Sequence, residues 1–162
     1  MKTHTVNFNQ LIPERSSLGF LVSDIKRLTG KLFSLYLENY PLTLAQARAL
    51  LGIARYQGMR QVELAEFLDI QPITLARMID QLTDIGYVER RADPTDRRAF
   101  QLFLLPAAAP IIEFFATKSR DFQQEALKGL TDAQVDILFD GLNQVRANLD
   151  HMFREQKSTE SL

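Results

Sequence analysis

Four arginines, Arg90, Arg91, Arg97 and Arg98, flank a Pro-Asp turn in the stretch RRADPTDRR. A guanidinium stays charged across the physiological pH range. Its planar fork of donors fits phosphate oxygens or the acceptor edge of guanine. The chain as a whole has a formal net charge of −1, so the cluster is a local feature and not overflow from a basic protein. A solvated hairpin accounts for it as readily as a finger that touches something negative. The neighbouring sequence has to decide.

Two helical patterns stand immediately upstream. The first is short, QVELAEFL, with Val62, Ala65 and Leu68 on one side. The second, PITLARMIDQLTD, starts with Pro72, which suits a first helical turn. Leu75, Ile79 and Leu82 fall at i, i+4 and i+7 and define its buried side. The opposite side carries Ile73, Thr74, Arg77, Asp80 and Gln81. Arg77 can bond guanine O6 and N7, Gln81 suits adenine, and the Thr74 hydroxyl serves base or phosphate. Gln71, just before the helix, stands within reach of backbone phosphate. Helix, tight turn, helix and hairpin together give the winged helix-turn-helix order. The competing reading is an ordinary polar helix face, since such units also serve purely for packing.

The segment QVELAEFLDIQPITLARMIDQLTDIGYVERRADPTDRR resembles the DNA-binding core of MarR-type regulators. QPITLARMIDQL is similar to the branch typified by SlyA. The hallmark is Asp-Pro-x-Asp-Arg-Arg, matched by Asp93, Pro94, Asp96, Arg97 and Arg98. The resemblance extends from about Ser17 to Phe153, because the helix order also fits. It departs at LLPAAAP, where the family commonly shows Leu-Thr, and this puts the start of the fifth helix in doubt.

The resemblance implies a wing whose tip enters the minor groove with Arg98, held by Asp96. A narrow A·T-rich groove attracts a lone guanidinium. Arg97 is expected on phosphate. Arg90 and Arg91 stand at the wing base, either supporting a groove wall or lying on a solvated strand face. The resemblance also implies that the terminal helices interlock two subunits on a pseudo-palindromic operator. It implies further that a small aromatic carboxylate releases the DNA, with Phe33, Tyr36, Tyr40 and Arg48 as candidate pocket residues. Aromatic core packing is the competing account of those rings.

The remaining elements must carry this unit. Leu18, Leu21, Ile25, Leu28, Leu32 and Leu35 are spaced alternately by three and four, a heptad seam running to about Tyr40, where Pro41 stops it. Val135, Leu138, Leu142, Val145, Leu149 and Met152 repeat the pattern near the other end. Both are dimerisation candidates, and an intramolecular helix pair is the alternative. Thr43 with Gln46, and Thr131 with Gln134, have the spacing of capping boxes. Gly58 and Gly86 mark helix ends, and a further helix starts at the prolines after the wing and ends near Gly129.

The expected fold class is mainly α with a small β-hairpin wing. It comprises a loose arm over 1–16, dimerisation helices over 17–40 and 106–154, a winged helix-turn-helix domain over 41–105 and a disordered tail over 155–162.

Composition narrows the function. The chain has 162 residues, 46% hydrophobic and 24% charged, ordinary for a globular domain. Cysteine is absent, which removes disulfides, thiolate metal sites and thiol redox sensing and favours an intracellular protein. No apolar run approaches the roughly 20 residues of a membrane span, and the N-terminus lacks a signal-peptide core. A cytoplasmic protein without membrane partners is therefore expected. His4 and His151 are the only histidines. No phosphate loop, metal motif or nucleophile motif appears, so neither a cofactor, a metal nor an enzyme activity is expected. The expected function is a homodimeric, sequence-specific DNA-binding repressor. The alternatives are an activator that displaces a silencing protein, or a winged-helix interaction module that never touches DNA.

Overall fold

A computed structural model describes residues 17–160. The arm read over 1–16 lies outside them. The elements are α1 (Leu18–Tyr36), α2 (Leu44–Arg55), α3 (Gln61–Leu68), α4 (Pro72–Asp84), β1 (Val88–Ala92), β2 (Phe100–Leu104), a short 3-10 turn (Pro106–Ala108), α5 (Ala109–Ala126) and α6 (Asp132–Glu160). The chain divides into two compact units, one ending at Phe115 and one beginning at Ala116.

The first unit holds the core. Leu50, Ile53, Leu64, Leu75, Ile79, Leu82, Val88, Leu102 and Phe115 are fully buried. They come from α2, α3, α4, both strands and the start of α5, so helix-turn-helix and hairpin share one interior. As the spacing requires, Leu75, Ile79 and Leu82 face inward on α4, joined by Met78. On α3 the inward residues are Leu64, Ala65 and Leu68. Val62 was expected among them but is half-exposed, because an eight-residue helix has one inward stripe and Leu64 claims it.

Local chemistry sets the boundaries. Thr43 closes a capping box: its hydroxyl accepts from Gln46 N–H at 3.2 Å, and Gln46 Oε1 accepts from Thr43 N–H at 2.8 Å. The second box recurs at Thr131 and Gln134. Gly86 adopts φ +76, and Gly86 and Tyr87 donate back to Thr83 and Leu82, closing α4 with the paired bonds of a left-handed cap. The turn between α3 and α4 uses Asp69 at φ 55, a left-handed position taken by a residue with a Cβ, which Asp tolerates better than most.

Several expectations change. The seam helix ends at Tyr36, four residues before Tyr40, because Leu37 and Leu42 turn into the core. α2 ends at Arg55, not at Gly58. Gly58 instead takes φ +83 in the turn before α3, which is tied to β2: its N–H donates to Leu102 O at 2.9 Å, and Leu102 N–H donates to Met59 O at 3.0 Å, beside an isolated bridge between Arg60 and Gln101. The doubtful start of the fifth helix is resolved as the 3-10 turn leading into α5. α6 continues to Glu160, well into the stretch read as a disordered tail.

Candidate nucleic-acid interface

β1 and β2 pair antiparallel with Val88 opposite Leu104 and Ala92 opposite Phe100. The hairpin tip therefore spans Asp93 to Ala99. Val88 and Leu102 anchor its base in the core, which leaves the tip to be organised by polar chemistry.

Asp93 is the centre of that organisation. It is 5% exposed, the one polar or charged residue buried among the described residues. Its Oδ1 accepts from Thr95 N–H at 2.8 Å, Thr95 Oγ1 at 2.7 Å and Asp96 N–H at 3.1 Å. Its Oδ2 accepts from Arg60 Nε at 2.7 Å, and Arg60 Nη2 donates to Thr95 Oγ1 at 2.9 Å. The Arg60 hydrogen bond, helped by those from Thr95, holds the Asp93 carboxyl well below the usual carboxylate range. The same hydrogen bond raises the Arg60 guanidinium further. Arg60 immediately precedes α3, so this pair ties the wing tip to the helix-turn-helix.

The four arginines of the motif divide into two kinds. Arg90 is engaged at all three nitrogens. Nε donates to Gln61 Oε1 at 2.9 Å, Nη1 to Asp80 Oδ1 at 2.6 Å and Nη2 to Ala76 O at 3.1 Å. It is a clamp joining α3, α4 and β1, and not a freely solvated residue of the strand face. Asp80 is correspondingly paired. Arg91 bonds Glu89 and lies over the Phe103 ring, 4.1 Å from its centre. Arg97 and Arg98 are exposed, and neither forms an ion pair among the described residues.

Asp96 does hold Arg98, but at the backbone. Its Oδ1 accepts from Arg98 N–H at 3.0 Å, so the expected carboxylate–guanidinium brace is replaced by a turn that aims the side chain. Arg98 and Asp96 share a cleft of about 320 Å³ with Arg60, Gln61 and Pro72. The wing tip thus stands beside the first turns of α3 and α4.

On α4, Gln71, Pro72, Ile73, Thr74, Arg77 and Gln81 are all exposed. Pro72 is the first helical residue and Gln71 its cap. Thr74, Arg77 and Gln81 lie along one stripe. Gln81 differs from the others in having an internal partner: its Oε1 accepts from Gln46 Nε2 at 3.0 Å. Sequence reasoning missed Arg60, placed Asp93 only in the wing motif and gave Gln46 only its capping role. An Asp opening a Pro turn signals an Asx-type cap, whereas the two long-range partners left no local signal.

A second cavity, of about 660 Å³, is lined by Lys26, Arg27, Phe33, Arg48 and Phe115 among others. Phe33 and Arg48, two of the four candidate pocket residues, line it. Tyr36 and Tyr40 are not among its lining residues: Tyr36 meets Phe33 edge-on and Tyr40 packs on Phe114. Among the described residues, no acidic or histidine cluster is arranged to hold a metal, and no helix is long and apolar enough to cross a membrane.

Helix, turn, helix and anchored two-stranded wing define a winged helix-turn-helix protein. The MarR family model matches residues 42–100. The multiple antibiotic resistance protein MarR of Escherichia coli K12 is 32% identical over 139 residues, covering 85% of this chain and 94% of that protein. The chain belongs to the MarR family of transcriptional regulators. A mutant of E. coli MarR in complex with operator DNA superposes with a TM-score of 0.68 at 31% identity, over 87% of this chain and 99% of that one. The transcriptional regulator SlyA gives a TM-score of 0.74 at 20% identity, over 84% and 96%, a likeness of fold.

Proposed function

We propose that this chain is a homodimeric repressor of pseudo-palindromic duplex DNA. The Thr74–Arg77–Gln81 stripe of α4 enters the major groove, Gln71, Pro72 and Ile73 abut its wall, and Arg98 enters the flanking minor groove with Arg97 on phosphate. The observation that carries this is the division of the arginines. Arg90 and Arg91 are consumed in building the wing, while Arg97 and Arg98 stand unpaired at a tip fixed beside the start of α4. Unpaired guanidinium groups on a near-neutral body are a local attraction for phosphate. A relative crystallised on its operator supports the same use of the fold.

Dimerisation is supported by the uncovered seams. Leu21 and Ile25 on α1 are 55% and 54% exposed, and Leu142 and Leu149 on α6 are 44% and 57% exposed. Leu18 and Leu138 are exposed as well, with Val135 and Val145 half-buried. A second copy would cover these rows and double a small footprint. The aromatic carboxylate effector fits the 660 Å³ cavity, where Phe33 offers a ring and Arg48 a carboxylate partner. A DNA-bound repressor acts where the chromosome lies, in the cytoplasm.

The test is selection of bound sites from random duplexes, followed by a salt titration on the selected site and on mixed DNA. A two-fold related consensus, with affinity falling steeply as salt rises, is expected. No selected consensus and no salt dependence would favour the interaction-module alternative.

A further inference from the structure

We infer that Gln46, on the first turn of α2, fixes which end of the Gln81 amide faces the DNA and so determines the base that Gln81 reads. This rests on the DNA-binding reading above and adds a specificity to it.

The backbone N–H of Thr43 can only donate. Thr43 N–H points at the Gln46 side chain at 2.8 Å, and the Thr43 hydroxyl donates to the same atom at 3.0 Å. A backbone N–H needs an acceptor, so the Gln46 atom facing it is Oε1. Gln46 must then turn Nε2 the other way, towards Gln81 at 3.0 Å. An amide nitrogen in turn needs an acceptor, so Gln81 presents Oε1 to Gln46. The Gln81 NH2 group is left as its outward end. The capping box of α2 therefore sets the polarity of a side chain on α4, 35 positions away, through two amides in series.

The consequence is chemical. The bidentate pairing of glutamine with adenine needs Oε1 to accept from adenine N6 while Nε2 donates to N7. Here Oε1 is held by Gln46. What remains is a pair of N–H donors, which suits guanine O6 and N7 or thymine O4. The relay turns Gln81 from an adenine reader into a reader of acceptors.

The relay can be reversed without disturbing the cap. In Gln46→Glu a carboxylate oxygen still accepts from Thr43 N–H, the usual capping-box arrangement. The other carboxylate oxygen cannot donate to Gln81, so Gln81 must flip and donate to it. Its Oε1 then faces outward and favours a donor, adenine N6 or cytosine N4.

The experiment is site selection from random duplexes with wild type, Gln46→Glu and Gln46→Leu, read base by base. In Gln46→Glu, preference at one base pair per half-site should pass from G or T to A or C on the contacted strand. A change of about fivefold is the scale of one exchanged hydrogen bond. Gln46→Leu should flatten that position and leave the rest of the consensus unchanged. The Gln81 side-chain amide resonances of the free proteins should also shift between wild type and Gln46→Glu. If the variants select the wild-type consensus unchanged, the relay is wrong while the DNA-binding reading stands. If wild type selects no consensus, both fail.

Discussion

Arg60 Nε lies 2.7 Å from Asp93 Oδ2, joining the residue before α3 to the first residue of the wing tip. The carboxylate is buried and the guanidinium partly exposed, so the wing is held by a contact whose loss leaves a charge in a poor place. Removing one partner of such a pair is costlier than the pair's net contribution suggests.

Arg60→Ala should therefore loosen the tip more than the core. Amide exchange at Thr95 and Asp96 should quicken, while Leu75 and Ile79 in α4 stay protected. The pH dependence has a definite sign. The Asp93 carboxyl is lowered from its ordinary value of 3.8, so its stabilisation is complete above about pH 4 and lost as pH falls below that. Wild type should lose stability between pH 4 and pH 2 more steeply than Asp93→Asn. Parallel curves for the two proteins would show that Asp93 is not held this way.

Arg90→Ala should destabilise the first unit by about 1–3 kcal/mol, the scale for removing a multiply bonded charged donor. Arg90→Lys should recover only part, because an ammonium cannot reach Gln61, Asp80 and Ala76 O with one planar fork. Urea unfolding measures this. If Arg90→Ala leaves stability unchanged but weakens binding to all DNA alike, Arg90 is a phosphate contact and not a clamp.

The contrast between Arg90 and Arg98 shows what the sequence could reveal. Hydrophobic spacing and local boundary signals located α2, α3 and α4: Thr43 with Gln46 at one start, Pro72 at another, Gly86 at an end; the Pro-Asp turn located the wing. The inward face of α4 followed from Leu75, Ile79 and Leu82 alone. The partners of the arginines did not, since Arg90 meets Gln61 and Asp80, and Asp93 meets Arg60, across distances in sequence that no periodicity encodes. The same limit hid the link between the turn before α3 and β2, in which Gly58 and Met59 bond Leu102.

Arg98→Ala should weaken specific binding most on sites with A·T-rich flanks, where the minor groove is narrow and its potential deepest. Arg97→Ala should act on all duplexes alike and lower the salt slope by about one per subunit. Asp96→Ala should mimic Arg98→Ala although it removes a negative charge, because Asp96 Oδ1 accepts from the Arg98 N–H and shapes the turn. Binding of Asp96→Ala that is tighter at low salt, with flank preference intact, would mean that plain charge repulsion governs this position.

Aromatic carboxylates such as salicylate should lower affinity for the selected site, and Arg48→Ala should blunt the response without changing affinity in their absence. Calorimetric titration of the ligand into both proteins checks this. An equal response in the two proteins would remove Arg48 from the effector site. With no cysteine in the chain, a release by peroxide instead would have to act through methionine.

The last prediction concerns assembly. α1 has no buried residue in the single chain, although five of its six seam residues are leucine. A 19-residue amphipathic helix with its apolar row in water gains little from propensity alone and depends on packing. The α6 seam is in the same position, with Leu138, Leu142, Leu149 and Met152 all exposed. Sedimentation should therefore give a dimer at micromolar concentration, with an unfolding temperature that rises with protein concentration. Leu142→Asp with Leu149→Asp should place four carboxylates in the paired seam, two from each copy. It should yield monomers that bind half-sites weakly, or chains that unfold. Leu142→Ala keeps the charge unchanged and should shift the dimer equilibrium in the same direction by less. If wild type sediments as a monomer and its unfolding temperature is independent of concentration, the seams are not a dimer interface, and a palindromic operator loses its structural reason.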